Sequence, residues 1–307
     1  MTAGLGGGRL AMAMAIGLAT AMPTWAQAQG GPTAAMDGQT PSGPAPPPAG
    51  AAAAPSAADL AKKLANPISD LVSVPFQFNW DEGVGPTDGL RFMMYAQPVV
   101  PMSVSDKWNL VGRFVLPLVF SQPPLVEGGE TEAGTGDIVF SAFLSPKQGK
   151  LIWGVGPVFG LPTTTNPSIG TGKWSLGPTV VVLKQQGPWT VGALANQLWS
   201  VGSASNVERE DVNQTYLQPF VAYGLKSGVT FTLSSESTAN WKADSGQQWT
   251  VPLILQVSKV TRLGPFPFSM GAAYGYYVET PDGGPSWKLR MNLSVLLPRA
   301  APGGPAK

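Results

Sequence analysis

From Leu71 to Leu297 the chain keeps a period of two: apolar side chains recur at alternate positions in one segment after another. Alternation is the signature of a strand with two different faces, since successive side chains point to opposite sides. No segment in this region reaches the 18 or so continuous apolar residues that a transmembrane helix needs. Twelve segments fit the pattern: 71–80, 90–100, 108–120, 137–145, 151–161, 174–184, 189–199, 213–223, 229–236, 249–259, 266–278 and 287–297. The last is the cleanest. Trp287, Leu289, Met291, Leu293, Val295 and Leu297 oppose Lys288, Arg290, Asn292 and Ser294. Most segments are near the roughly nine to eleven residues of a tilted membrane strand, and long for a soluble sandwich. Hydrocarbon does not tolerate an open sheet edge, so the first strand is expected to pair with the twelfth. The pattern predicts an all-β fold, a single antiparallel transmembrane β-barrel of about 12 strands of the bacterial outer-membrane type.

Composition agrees. Charged residues make up only 12% of the chain, against about 25% in soluble domains, while a mean hydropathy of +0.07 is too low for a helical membrane bundle. His and Cys are both absent. That excludes imidazole bases, thiol nucleophiles, disulfides and zinc sites with His or Cys ligands. No inward Ser–carboxylate pair suits catalysis, and Gly-rich turns such as Gly83-Val84-Gly85 match no phosphate-binding fingerprint. No enzymatic chemistry, cofactor or metal is expected, and a formal charge of +1 implies no nucleic-acid partner.

The N-terminal region reads as address and linker. Arg9, the apolar run Leu10–Met22 and Ala26-Gln27-Ala28 form a secretory signal pattern, with cleavage expected after Ala28. Removing Arg9 from 19 basic residues leaves 18 against 18 acidic ones, a neutral mature chain. The expected organisation is a signal peptide over 1–28, a disordered Gly/Pro/Ala-rich leader over 29–57 and a short helix with its linker over 58–70. The barrel follows over 71–298 and a periplasmic tail over 299–307. The helix, with Leu60 and Leu64 on one face, reads either as an interfacial or periplasmic element or as a plug.

Two further patterns fit a barrel in an outer membrane. Connections after odd strands are mostly longer and richer in Gly, Asp and Glu than those after even strands, which places both termini in the periplasm. Trp80, Trp174, Trp199, Trp249 and Trp287 fall at one end of their strands, and Trp108, Trp153 and Trp189 at or near the other. Indole is apolar with one polar N–H, so two interfacial girdles against outer-membrane lipid are expected. Trp241 and the acids Asp81, Glu82, Glu127, Glu130, Glu132, Glu208, Glu210 and Asp211 fall in outer loops, the acids as a solvated rim.

The inward parity carries the candidate site. Lumen or constriction candidates are Arg91, Arg113, Asp137, Gln218, Glu236, Lys288 and Arg290. Charged groups at close quarters sort solutes, and the same groups can instead close a network that holds the barrel rigid. Arg91 and Arg290 are expected to approach across the first strand as a basic wall. Gly154, Gly156, Gly160, Gly271 and Gly275 either leave room or permit curvature. Pro117, Pro157, Pro178, Pro219 and Pro252 remove ladder donors and mark bulges or breaks.

From Asn66 to Pro298 the chain resembles the outer-membrane family named after the meta-pathway of phenol degradation, whose members are labelled transporters. The resemblance rests on Asn66-Pro67, Pro75-Phe76, Trp108, Arg113, Pro117, Gly136-Asp137, Pro146 and Trp153-Gly154-Val155-Gly156-Pro157. It continues through Gly172, Trp174, Gly177-Pro178, Asn196, Trp199-Ser200, Gln218-Pro219, Trp241, Trp249-Thr250-Val251-Pro252, Trp287 and Arg290. It implies a Gram-negative outer-membrane barrel, delivered by the barrel-assembly machinery, that passes small, aromatic compounds; it carries no binding residues over. The chain departs from the usual aromatic terminus by running on past Pro298 to Lys307. The expected function is a channel or facilitator for small organic molecules, with a closed structural or interaction barrel as the alternative.

Overall fold

The computed structural model describes residues 55–204, 209–263 and 266–297. The expected signal peptide, nearly all of the leader, the tail and Glu208 lie outside the described residues. Twelve strands cross the structure, three of them interrupted once. They are β1 (Val72–Val84), β2 (Gly89–Ala96 with Val99–Ser103), β3 (Trp108–Gln122), β4 (Glu132–Thr135 with Ile138–Pro146), β5 (Ile152–Leu161) and β6 (Lys173–Gln186). The others are β7 (Trp189–Ser203), β8 (Asn213–Gly224), β9 (Val229–Ser234 with Ser237–Asn240), β10 (Trp249–Leu263), β11 (Phe266–Glu279) and β12 (Trp287–Leu297).

Every strand is antiparallel to both neighbours, and β1 pairs with β12 from Val72↔Leu297 to Glu82↔Trp287, so the sheet closes. Strand lengths exceed the expectation in places: β3, β7 and β10 run to 15 residues each. One mouth carries connections such as 123–131, 162–172 and 280–286; the other carries tight ones such as 104–107 and 187–188. The first connection, 85–88, is short because β1 and β2 continue into the expected loop.

Burial is inverted relative to a water-soluble protein. Asn79, Asp81 and Arg290 are 0%, 1% and 3% exposed, whereas Leu255 and Met291, facing outward, are 58% and 59% exposed. Alternation along each strand produces both facts at once.

Proline explains the interruptions. It has no N–H, so the facing ladder loses a donor and opens locally. Each break lies opposite a proline whose carbonyl still accepts one bond. Gln97 N donates to Pro75 O at 2.8 Å, Gly136 N to Pro117 O at 3.0 Å and Ser235 N to Pro219 O at 3.1 Å. Pro252 lies at a register shift between β10 and β11, and Pro157 faces Pro178 across β5 and β6.

Among the described residues one helix, α1 (Ala57–Leu64), precedes the barrel. Ser56 caps it: its hydroxyl accepts from Asp59 N at 3.1 Å and donates to the Asp59 carboxylate at 2.6 Å. The bond from Ser56 holds the Asp59 carboxyl below its ordinary value. Leu60 and Ala61 pack with Leu71, Val260 and Leu296, which fixes the helix at the short-turn mouth. Gln185 Nε2 donates to Lys62 O at 2.9 Å, and Lys62 Nζ donates to Gly187 O at 3.3 Å. The helix is thereby seated on the short-turn mouth.

Candidate functional site

The barrel interior divides into two halves of different chemistry. Toward the short-turn mouth, Val99, Val111, Phe143, Val181, Leu183 and Leu194 point inward from β2, β3, β4, β6 and β7 and pack around Ile68, just beyond the helix. Gly154 makes the space: a Cβ there would lie 3.1 Å from Ile68 Cδ1. This apolar filling was not anticipated from the inward polar residues. The signal was present in the inward parity of Val111, Phe143, Val181, Leu183 and Leu194. The remaining interior, mainly on β8 to β12 and β1, stays polar.

Three cavities lie in series through that polar side. The outer one, about 280 Å³, includes Asp81, Arg91, Tyr95, Tyr216, Tyr277 and Lys288. The inner one, about 220 Å³, includes Phe220, Ser234, Gln256, Ser258, Arg290 and Asn292. Gln77, Gln97, Arg113, Gln218 and Glu236 line both, so these five side chains form a common wall. A cleft of about 480 Å³ beside the helix, running to Gly187 and Gly224, shares Ala61, Ala65, Ala222 and Thr230 with the inner cavity.

Hydrogen bonds fix the common wall. Gln97 Nε2 donates to Gln77 Oε1 at 2.8 Å, and Arg113 Nη2 donates to Gln97 Oε1 at 2.7 Å. Gln97 itself lies in the break of β2. On the other side Arg290 makes a two-point pair with Glu236, 2.7 Å and 2.6 Å, while its Nε donates to Asn79 Oδ1 at 2.7 Å. Glu236 lies at the break in β9, where the interrupted ladder leaves room for the pair.

A second charge cluster sits above it. The register places Asp81 between Arg91 on β2 and Lys288 on β12. Arg91 Nη2 is 2.9 Å and Lys288 Nζ 3.3 Å from the Asp81 carboxylate, and the Tyr277 hydroxyl donates to it at 3.0 Å. Gly275 accommodates the lysine, since a Cβ there would lie 2.7 Å from Lys288 Cγ. The glycines thus divide: Gly154 and Gly275 leave room that another side chain fills, whereas Gly156 and Gly271 lie against the carbonyls of Ala142 and Val257 on adjacent strands.

Three expectations are corrected. Asp81 is no member of an exposed rim; it is a buried part of β1, with the inward parity of Gln77 and Asn79, and β1 simply runs past the expected end. The basic wall of Arg91 and Arg290 is divided by carboxylates: Arg91 pairs with Asp81, which Lys288 shares, and Arg290 with Glu236. Asp137 does not line the cavities. It accepts from Thr164 N at 3.1 Å, Thr171 N at 2.6 Å and Gly172 N at 2.8 Å, so it pins the 162–172 connection. The break after Thr135 turns it toward that connection. Arg91, Arg113, Gln218, Glu236, Lys288 and Arg290 all line the cavities.

Trp108, Trp153, Trp174, Trp189, Trp249 and Trp287 lie first or second in their strands, and Trp80 and Trp199 lie four residues inside the ends of theirs. Trp108 and Trp153 meet edge to face at 5.9 Å near the short turns, where Trp189 contacts Tyr223 at 4.7 Å. At the other end Trp80 stacks on Phe92 at 4.9 Å and Trp287 on Tyr274 at 6.3 Å. Trp174 and Trp199 project outward, about half exposed. Trp249 contacts Trp241, whose Nε1 donates to Thr215 Oγ1 at 2.8 Å.

No family model matches the chain, and no curated protein is similar to it in sequence. Its fold is similar to that of an outer membrane channel from Pseudomonas putida F1, with a TM-score of 0.56 and 14% identity, covering 74% of this chain and 96% of that one. The NanC porin matches at a TM-score of 0.46 and 13% identity, over 74% of this chain and all of that one. The fold is therefore a twelve-stranded closed barrel of the outer-membrane type.

Proposed function

We propose that this chain is a passive outer-membrane channel for small organic molecules. The observation that carries the reading is the series of three cavities through the polar half of a closed barrel whose outer face is apolar. The tryptophan ends then mark the two lipid interfaces. The short-turn mouth, with the helix and both termini, faces the periplasm, and the acidic connections face outward. A solute would cross two narrow points: the wall of Gln77, Gln97, Arg113, Gln218 and Glu236, and the helix. The P. putida channel supports the reading by fold alone; the resemblance to the phenol meta-pathway family adds aromatic solutes and a place among its transporters.

A second reading has an observation of its own. The helix sits on one mouth and Ile68 packs into an apolar cluster of inward side chains, which is the construction of a closed, plugged barrel. Single-channel recording of the refolded protein in a planar bilayer, with Arg113→Ala beside it, separates the two. The channel reading expects steady openings whose conductance changes in the variant. Silence from protein shown to be folded would leave the plugged barrel.

A further inference from the structure

The charge pairing leaves one cation over. Four cations and two carboxylates line the outer and inner cavities. Arg91 and Lys288 share Asp81, and Arg290 holds Glu236. Among the described residues Arg113 has no carboxylate within ion-pair distance and donates one hydrogen bond, to the neutral amide oxygen of Gln97. Gln77 holds that glutamine in place. The guanidinium is thus positioned on the common wall with donors to spare, and its planar fork matches a carboxylate in two-point geometry. Tyr95, Val115, Val139, Leu198, Tyr216 and Pro252 give the outer cavity an apolar and aromatic part, beside polar groups such as Ser141, Asn196 and Gln214. A volume of about 280 Å³ lies just below the roughly 300 Å³ where pockets for drug-sized ligands begin. It admits a compact body.

We propose that the outer cavity binds a compact organic monocarboxylate, with the carboxylate on Arg113 and the apolar body against Tyr95 and Tyr216. This names a solute class for the channel reading and rests on it for its place in transport. An amine would meet an excess of two positive charges. A bare inorganic anion would leave the apolar wall uncovered.

Calorimetric titration of the folded full chain in detergent, with protein-free micelles as the blank, tests this with benzoate, neutral benzamide and benzylammonium. The expected order is benzoate well ahead of benzamide, with benzylammonium unbound. Arg113→Gln should weaken benzoate by about tenfold or more, the loss of a charge-assisted pair. Arg113→Lys should recover part of the affinity, and each variant's folded state is checked by its heat-dependent gel migration. Equal binding of benzamide, no benzoate binding by folded wild type, or an unaffected Arg113→Gln would each overturn the proposal. Binding by a protein that conducts nothing would sink the channel reading and leave the site standing.

Discussion

Glu236 at the break in β9 and Arg290 on β12, 54 residues apart in sequence, meet in a two-point ion pair whose bonds measure 2.7 Å and 2.6 Å. Both side chains are largely buried, and the interrupted β9 makes the approach geometrically possible. Breaking one partner of such a pair leaves an uncompensated charge, at a cost of about 3–5 kcal/mol. Glu236→Gln should therefore lower unfolding stability by that order in urea titrations of the refolded protein. Adding Arg290→Met should recover most of the loss. A single variant within about 1 kcal/mol of wild type would show that solvent, and not Glu236, satisfies Arg290.

Asp81 supplies the countercharge to both Arg91 and Lys288. Asp81→Asn raises the interior excess from two positive charges to three. Reversal potentials across a salt gradient should shift toward anions, and more at low salt because screening is weaker there. An unchanged reversal potential would place the conducting path away from Asp81.

Gly275 lies under the Lys288 stem. Gly275→Val should push that stem away from Asp81 and destabilise the barrel by about 1–3 kcal/mol, the usual range for overpacking. The selectivity change should resemble a weaker form of Asp81→Asn. Wild-type stability with wild-type selectivity would mean the lysine has another resting place.

The helix is the second narrow point. Deleting residues 55–65 should raise single-channel conductance, since Ala61, Leu64 and Ala65 line the inner cavity on that side. Acid should act in the same direction. The Asp59 carboxyl is held low by Ser56, so the cap is complete above the ordinary value of about 3.9 and is lost as pH falls through the depressed one. Conductance that ignores the deletion would make the helix a bystander.

The strand pattern was legible because one parity must face an apolar medium, and β12 shows this without exception from Trp287 to Leu297. The inward cations were legible for the same reason. What escaped was pairing in space. Asp81 lies just past the last alternating position of the first segment, residue 80, yet β1 continues to Val84, and only the register with Arg91 and Lys288 reveals its role. Asp137 kept inward parity but sits at a break, where parity no longer sets direction. Ile68 lies outside every strand, so no periodicity foretold that it packs into the apolar cluster of the interior. The breaks themselves were half visible: Pro117 and Pro219 marked them, while the partners they act on, Gly136 and Ser235, follow from strand register.

The chain contains no cysteine, so a single introduced thiol reports on one position without background. Gln218 lines both the outer and the inner cavity, at the wall where a solute must pass between them. The most direct measurement records current through Gln218→Cys before and after a small charged methanethiosulfonate reagent is added. The account predicts a stepwise fall in current as each barrel is modified, with no effect on the wild-type chain. Unchanged current through a protein whose labelling is confirmed by mass would contradict passage through this wall.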